Sequence, residues 1–452
     1  MRQRRGIDLA HKGLWAGVVV FVLGPTGAAA QQKTTRTAAA APSTGITVAP
    51  VAFKGVTVVD VETGKLLPDQ TVVIDKNRIG AMGKDVQVPA GARVVDAQGK
   101  YLIPGLWNMH SHLIDQIHLT QSRYEDFIVN GVTGTREMAQ RFPGGADSFR
   151  IWQPQIMAGT RIGPRIVGPS ADLNQIPMES PADVARVMDS LKAAGMVFVK
   201  YHGGAERDMY FAMTREARRV GLPLVGHSVS DVTETEQSDS GQKSLEHMNE
   251  VHTSCWFDPD TTLAEACATM AAHFKKNGTW FVPTLVRFDP FDNYEGPSRG
   301  CRPDSLRANM PLDAGAQPVG GVDVDGFVGY LKALGKMHRA GIPLLPGSDG
   351  GAGPDGSNVD IFACAFHVEL ALFVEAGLTP LETLQSATLS PAKFFNMTDS
   401  LGTVAPGKLA DLVLLNANPL ADIHNAKKIY GVMVNGHYFD RAKLDSIQAK
   451  HH

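Results

Sequence analysis

The middle of this 452-residue chain alternates strand-like and helix-like segments, and this alternation limits the possible folds more than any other feature. Short apolar runs such as "MVFVKYH", "LPLVGHS" and "IPLLPGSDGG" are separated by longer amphipathic stretches, among them "SPADVARVMDSLKAAG". Ser180 and Pro181 supply the N-cap and first residue of that predicted helix, and Gly195 ends it. About eight such alternations are typical of parallel strands joined by crossover helices.

The alternation occupies residues 104–396, which is enough chain for a closed (β/α)8 barrel of the TIM type, since such barrels take ~250 residues or more. An open doubly wound sheet is the alternative. Residues 51–103 and 397–443 have a different texture, with short β-like runs such as "QTVVIDKNRIGAMG" and "DLVLLNANP" separated by turns. They predict one small β-sandwich domain formed by both chain ends, beside the barrel domain.

The N-terminus has the features of an export signal. Basic residues precede the apolar stretch "LWAGVVVFVLG", and "PTGAAAQQ" follows with an A-x-A site, so we expect a signal peptide over residues 1–30. The apolar stretch is well short of the ~20 residues that span a bilayer. Residues 31–50 are rich in Ala, Thr and Pro, and predict a flexible linker. The mature protein is therefore expected to be periplasmic or secreted, exported by the Sec or the Tat route.

Four cysteines suit a disulfide in an oxidising compartment. They form no C-x-x-C pair, which argues against a cysteine zinc site. Cys364 lies in the apolar segment "IFACAF", which predicts an inert buried thiol. Cys255, Cys267 and Cys301 flank loops and are the better candidates for pairing, in any combination.

Polar side chains recur where the apolar runs end. In "PGLWNMHSHL", His110 and His112 share one strand face because side chains alternate along a strand. That pair alone would also fit a strand end with two solvated histidines. Other apolar runs also end in a polar residue, namely Lys200, His227, His247 and Asp349. Catalytic groups of such barrels lie at the C-terminal strand ends, and imidazole and carboxylate are usual ligands of catalytic zinc, so the pattern predicts a metal site.

Lys200 needs its own explanation, because a protonated amine cannot bind a cation. Its amine can react with carbon dioxide to give a carbamate, which would bridge two metal ions as a carboxylate does. An ion pair inside the barrel is the alternative. His202 shares the strand face of Lys200, and it is either a substrate contact or a solvated loop histidine. Arg136 and Glu137 predict an internal ion pair, and the remaining internal histidines considered are predicted to be structural: His252, His338 and His367.

Taken together, several motifs resemble the amidohydrolase superfamily: "LIPGLWNMHSHL", "VFVKYH", "GHS", "SLEHM", "GSDGG" and "LGTVAPGKLADLVLLNANPL". Within it, the chain is most similar to the imidazolonepropionase-like group, with its prolidase-like dipeptidases and ochratoxin-type amidases. The resemblance covers residues 50–443. It implies two zinc ions (Zn2+) per chain, one on His110, His112 and Asp349, the other on His227 and His247, with carboxylated Lys200 bridging them. Many members of this superfamily have Asp where this chain has Asn108. The uncharged side chain puts in question how the neighbouring histidine ligands are oriented and polarised, but not the metal site itself.

The resemblance implies a hydrolase that cleaves amide C–N bonds of dipeptides, N-acyl amino acids or related amides, ochratoxin-like amides included. A metal-bridging hydroxide would attack the carbonyl, and Asp349 would accept its proton. An esterase, a lactonase or a phosphotriesterase could use the same site, and a non-catalytic metal-dependent binding protein is a further alternative. The partner is a small molecule. A net charge of −3 without a basic stripe argues against a nucleic-acid surface, and a homo-oligomer is compatible with the sequence.

Overall fold

The structure is a computed structural model that describes residues 49–112, 120–138, 145–250, 262–289, 322, 324–349 and 363–450. The predicted signal peptide, nearly all of the predicted linker, and Cys255, Cys301 and His252 lie outside these ranges.

Sixteen strands are described. They are β1 Val51–Val59, β2 Leu66–Asp75, β3 Arg78–Gly83, β4 Arg93–Asp96, β5 Tyr101–Pro104, β6 Leu106–Ser111, β7 Val132–Glu137, β8 Arg165–Val167, β9 Ser170–Asp172, β10 Phe198–Tyr201, β11 Leu224–Gly226, β12 Gln242–Glu246, β13 Trp280–Val282, β14 Leu412–Leu415, β15 Ile429–Val434 and β16 His437–Asp440. The described α-helices are α1 Thr120–Val129, α2 Gly145–Met157, α3 Pro181–Ala193, α4 Arg207–Val220, α5 Glu234–Ser240, α6 Thr262–Asn277, α7 Val324–Ala340, α8 Ala365–Glu375, α9 Pro380–Ala387, α10 Leu389–Phe394 and α11 Arg441–Gln448.

Both chain ends contribute to one sheet, as predicted. Its eight strands run in the order β16-β15-β14-β5-β1-β2-β3, with β4 paired to β1. The ends meet where β14 pairs antiparallel with β5, so that Leu412 lies opposite Pro104 and Leu414 opposite Leu102. Apolar side chains from both ends share one core on this sheet, including Val56, Leu412 and Met433. Burial of this shared face joins segments far apart in sequence.

The middle of the chain forms two parallel sheets, in the orders β6-β7-β8 and β13-β12-β11-β10-β9. Helices lie between consecutive strands, for example α3 between β9 and β10 and α4 between β10 and β11. The predicted boundaries of α3 are confirmed. Ser180 caps it with Asp183 in a capping box, Pro181 is its first residue, and the chain leaves it through Gly195, whose φ is +79°. None of the described helices has the length and apolarity needed to cross a bilayer.

Residues 342–349 run between β13 and β6 and connect the two parallel sheets. Leu344 bridges to Phe281 of β13 in parallel, while the backbone oxygen of Pro346 accepts a hydrogen bond from Met109 of β6 (2.9 Å). The approach to β6 is so close that a Cβ on Gly347 would stand 2.6 Å from the Cβ of His110. Glycine at this position therefore lets Asp349 come next to the first histidine pair.

The prediction for Cys364 was wrong. Both cysteines in the described ranges, Cys267 and Cys364, are disulfide-bonded. Cys364 is only half-buried and lies at the N-cap of α8, so the apolar sequence around it packs inward while its own side chain is at the edge of the core. The prediction that Cys267 pairs is confirmed.

Candidate active site

The predicted site residues lie together at the carboxyl ends of the parallel strands. His110 is the next-to-last residue of β6 and His112 follows this strand. Lys200 is in β10, His227 follows β11, and His247 follows β12. Parallel strands bring their carboxyl ends to one edge, so residues spread over most of the chain converge there.

Asp349 is the centre of this cluster. Its Oδ1 lies 3.2 Å from Nε2 of His110 and 3.3 Å from Nε2 of His112, and its Oδ2 lies 3.8 Å from Nδ1 of His247. Ligand atoms of His110, His247 and Asp349 lie within 4.8 Å of one another, and all three residues are buried. Convergence of imidazole nitrogens on a carboxylate is the donor set of a divalent metal site.

The remaining predicted ligands surround this group. The ring of His227 lies 4.7 Å from that of His247, centroid to centroid. Nζ of the fully buried Lys200 lies 3.5 Å from Nε2 of His110. His202 is not a solvated loop residue, because its Nδ1 lies 2.9 Å from Oδ1 of Asp172 and its ring is 5.1 Å from that of His227. Every predicted ligand is thus next to another member of the set.

Backbone conformation is unusual at three residues of the site. His247, Thr284 and Asp349 have φ values of +70°, +47° and +52°, in the left-handed region that residues with a side chain seldom adopt. Oγ1 of Thr284 lies 2.7 Å from Nδ1 of His247, so two of these residues support each other directly. Such strain, concentrated in one place, is characteristic of functional sites whose surroundings hold the geometry.

A buried carboxylate fixes the first histidine. Oε2 of Glu246 lies 2.8 Å from Nδ1 of His110, which leaves Nε2 of that ring directed at Asp349. Nη2 of Arg136 donates hydrogen bonds to both carboxylate oxygens of Glu246, at 2.8 and 2.9 Å. The side chains of His110, Glu246 and Arg136 are all fully buried. This confirms an internal ion pair at Arg136, with a partner on another strand. Carboxylate–histidine contacts of this kind set the tautomer and direction of a ligating imidazole.

Asn108, which stands where similar proteins often have Asp, connects two segments of the site. Its side-chain oxygen accepts hydrogen bonds from the backbone amides of His110 and Ser348, both at 3.2 Å, and its amide donates to Oγ of Ser348 (2.7 Å). Asn108 therefore ties β6 to the segment that carries Asp349. Orientation of the His110 ring comes from Glu246 instead.

Burial keeps three histidines of the site neutral: His110, His202 and His247. Burial, ahead of the positive charge of Lys200, lowers the pKa of His110 well below its usual range. Burial and the neighbouring histidines do the same to the pKa of His247. Burial also lowers the pKa of His202 to about 3, despite its contact with Asp172. A neutral imidazole offers a lone pair, so these residues fit a metal ion.

The floor beneath the site is apolar. Phe198 and Val225 belong to one buried cluster and lie two residues before Lys200 and His227, on the same side of their strands, and Leu345 belongs to the same cluster. Such a floor excludes water from below, which strengthens electrostatic interactions in the site.

The sequence did not point to Glu246, Thr284 or Arg287. Arg287 contacts the carboxylate of Asp349 directly, although its side chain remains 47% exposed. Glu246 is a charged residue inside a buried strand, and such a residue requires a partner. This could have identified Glu246 from the sequence as a residue that contacts another buried polar group. Arg287 lies in an ordinary-looking segment, "TLVRFDP", and carried no such signal.

Parallel strands with a buried His/Asp cluster at their carboxyl ends define a metal-dependent hydrolase. Residues 101–438 match the model of the amidohydrolase family, and the chain belongs to that family.

Known proteins are similar over most of the chain. The imidazolonepropionase of Ralstonia nicotianae is 23% identical over 398 residues, covering 78% of this chain and 88% of that protein. A prolidase candidate from Bifidobacterium longum superposes with a TM-score of 0.66 and 23% identity, covering 89% of this chain and 99% of that one. A Xaa-Pro dipeptidase with methionine bound in its active site gives a TM-score of 0.63 at 18% identity, with 87% and 100% coverage.

Proposed function

We propose that this protein hydrolyses amide C–N bonds of dipeptides, N-acyl amino acids or related small amides, with two zinc ions in the buried cluster. The observation that carries the proposal is the approach of His110, His112 and His247 to one carboxylate, that of Asp349. The similarity to a prolidase candidate and a Xaa-Pro dipeptidase favours peptide-like amides among the reactions open to such a site. Aromatic amides of the ochratoxin type belong to the same chemical class.

The distances between the ligand atoms support the following assignment of ligands. His110 and His112 share Oδ1 of Asp349 and would hold one ion. The adjacent rings of His227 and His247 would hold the other. Lys200, buried beside His110, would bridge both as a carbamate. Bound divalent ions supply Lewis acidity and a water of lowered pKa.

The chain's own residues supply the remaining functions. Glu246 keeps His110 in one tautomer and one direction, and Thr284 does the same for His247. The backbone amide of Asp349 donates to the oxygen of His110, which holds the residue beside β6. Asp349 would accept a proton from the attacking water and pass it to the leaving nitrogen. His202, which Asp172 holds beside His227, would contact the substrate.

We further propose that the parallel strands and residues 342–349 close into a (β/α)8 barrel over residues 104–396. The backbone bonds of Met109 and Leu345, to Pro346 and Phe281 respectively, support closure. Residues 51–103 and 397–443 would then form the smaller β-sandwich domain.

The test is a panel of N-acyl amino acids, dipeptides, lactones and phosphotriesters, offered to the zinc-loaded protein and to its Asp349→Asn variant. Asparagine keeps the shape and an oxygen ligand but cannot accept the proton, so amide turnover should fall about 10²–10⁴-fold while most of the metal is retained. Hydrolysis of only lactones or phosphotriesters would replace the proposal by the corresponding rival. Metal binding without any turnover would make the protein a binder.

Export to the periplasm or the medium is a separate proposal. It is supported by the N-terminal pattern and by the disulfides at Cys267 and Cys364, since disulfides persist in oxidising compartments. Protein from a native host should begin at Gln31 when its intact mass is measured. A full-length chain in the cytosol would contradict this proposal.

A further inference from the structure

Arg287 lies at the solvent side of the site and touches its central carboxylate. The guanidinium contacts Oδ2 of Asp349, and 47% of the side chain is exposed, whereas Asp349 itself is 3% exposed. Two other cations near the cluster, Lys200 and Arg136, are fully buried. Arg287 is therefore a cation that both solvent and an entering molecule can reach.

The segment that carries Arg287 is firmly held. It is the short 3-10 helix Leu285–Phe288, whose other three side chains are buried. The backbone amide of Val286 donates to Oε2 of the buried Glu369 (2.8 Å), and the amide of Arg287 donates to the oxygen of Thr284 (3.2 Å). Thr284 in turn contacts His247. The base of the arginine is thus fixed to the site, while its long side chain can change partners.

We propose that Arg287 binds the free carboxylate of the substrate, and that it restricts the enzyme to amides with an α-carboxylate on the leaving amine. This inference rests on the proposed amidase function. In a dipeptide or an N-acyl amino acid, the carboxylate carbon is three bonds from the carbonyl carbon under attack. A group that binds this carboxylate must therefore lie next to the ligands of the reaction centre, where Arg287 lies.

The chemistry of the guanidinium suits this role. Its planar fork can bind a carboxylate through two parallel hydrogen bonds, and it already lies against the carboxylate of Asp349. The substrate's carboxylate would take the place of Asp349 as partner when Asp349 is engaged by metal. Neutral lactones and phosphotriesters offer no such group, so the residue would also discriminate against these rival substrates.

The test compares N-benzoyl-L-phenylalanine, or the N-benzoyl amino acid that the substrate panel ranks first, with its neutral C-terminal N-methylamide. In Arg287→Met, kcat/KM for the acid should fall about 10- to 100-fold, mainly through KM, because hydrogen bonds to charged groups are lost. The neutral amide should change less than about threefold. Arg287→Lys should retain part of the preference, since lysine keeps the charge without the fork. Arg219→Met, which removes an exposed ion pair between α4 and Asp189 of α3, is the matched control.

Two further measurements separate the possible outcomes. Equilibrium binding of L-phenylalanine, the product, to the zinc-loaded protein should weaken in Arg287→Met, while zinc content stays unchanged. Equal losses on the acid and the neutral amide, no loss on either, or loss of zinc would each overturn the assignment. Failure of the wild type to hydrolyse any amide would instead overturn the proposed function.

Discussion

Replacing Glu246 by glutamine should separate the two roles of this carboxylate, in the core and at the metal site. Glu246 pairs with Arg136 through two contacts of 2.8 and 2.9 Å and with His110 at 2.8 Å, all fully buried. Burial opposes the charge, but Arg136 and His110 hold the pKa of Glu246 well below its usual range. The side chain is therefore ionised in the folded protein at neutral pH.

The substitution should change both the stability of the protein and its affinity for metal. Breaking a buried ion pair by removing one partner leaves the other charge uncompensated, so the metal-free variant should lose about 3–5 kcal/mol of unfolding free energy. Loss of the carboxylate behind a ligating histidine should weaken metal binding about 10- to 100-fold. Urea unfolding of the metal-free protein measures the first, and competition with a chromophoric chelator measures the second.

A double variant distinguishes these causes. Arg136→Met with Glu246→Leu removes both charges, so most of the stability should return, since apolar replacement of a buried pair is often neutral. Metal affinity should remain low, because His110 still lacks its partner. Glu236→Gln is the matched control, because this glutamate pairs with Arg207 at the surface. Its loss should lower the unfolding free energy by no more than about 1 kcal/mol and leave metal affinity unchanged. The reasoning is refuted if Glu246→Gln unfolds at the wild-type urea concentration, or if the double variant is no more stable than the single one.

Two further predictions concern other buried groups. Lys200→Ala should lose much of its zinc and nearly all amidase activity, and a small added carboxylate should restore part of it; two retained zinc ions with full turnover would exclude the carbamate. Burial raises the pKa of Glu369 to about 8, so the folded state keeps a proton that the unfolded state loses above its ordinary pKa of 4.5. The contribution of Glu369 to wild-type stability should therefore fall as pH rises from 4.5 to 8, with a slope of up to about 1.4 kcal/mol per pH unit. Glu369→Gln keeps an acceptor for Val286 without this titration, so its stability relative to wild type, measured by urea unfolding, should grow across that range; a pH-independent difference would contradict the assignment.

The predicted ligands could be found from the sequence because each is a polar residue at the end of an apolar run, a pattern visible within a few residues. His227 and Asp349 are examples, and the caps of α3 are equally local. Local patterns of this kind depend on strand alternation and on helix-end hydrogen bonding, which operate within a few residues.

Contacts across the fold were harder to foresee. Glu246 and Arg136 are 110 positions apart, and their pairing depends on which strands become neighbours at the site. Arg287 is placed by a 3-10 helix whose anchor, Glu369, lies on α8. Cys364 was mispredicted because an apolar neighbourhood in sequence does not fix the direction of one side chain at a helix start.

The central claim is that the cluster around Asp349 holds two metal ions on which amide hydrolysis depends. Its most direct test is stepwise addition of zinc to chelator-treated protein, with bound metal and hydrolysis of an N-acyl amino acid followed in the same samples. The chelated protein should be inactive, and activity should return and level off at two zinc ions per chain. Full activity after chelation, or a maximum at one ion, would contradict the account.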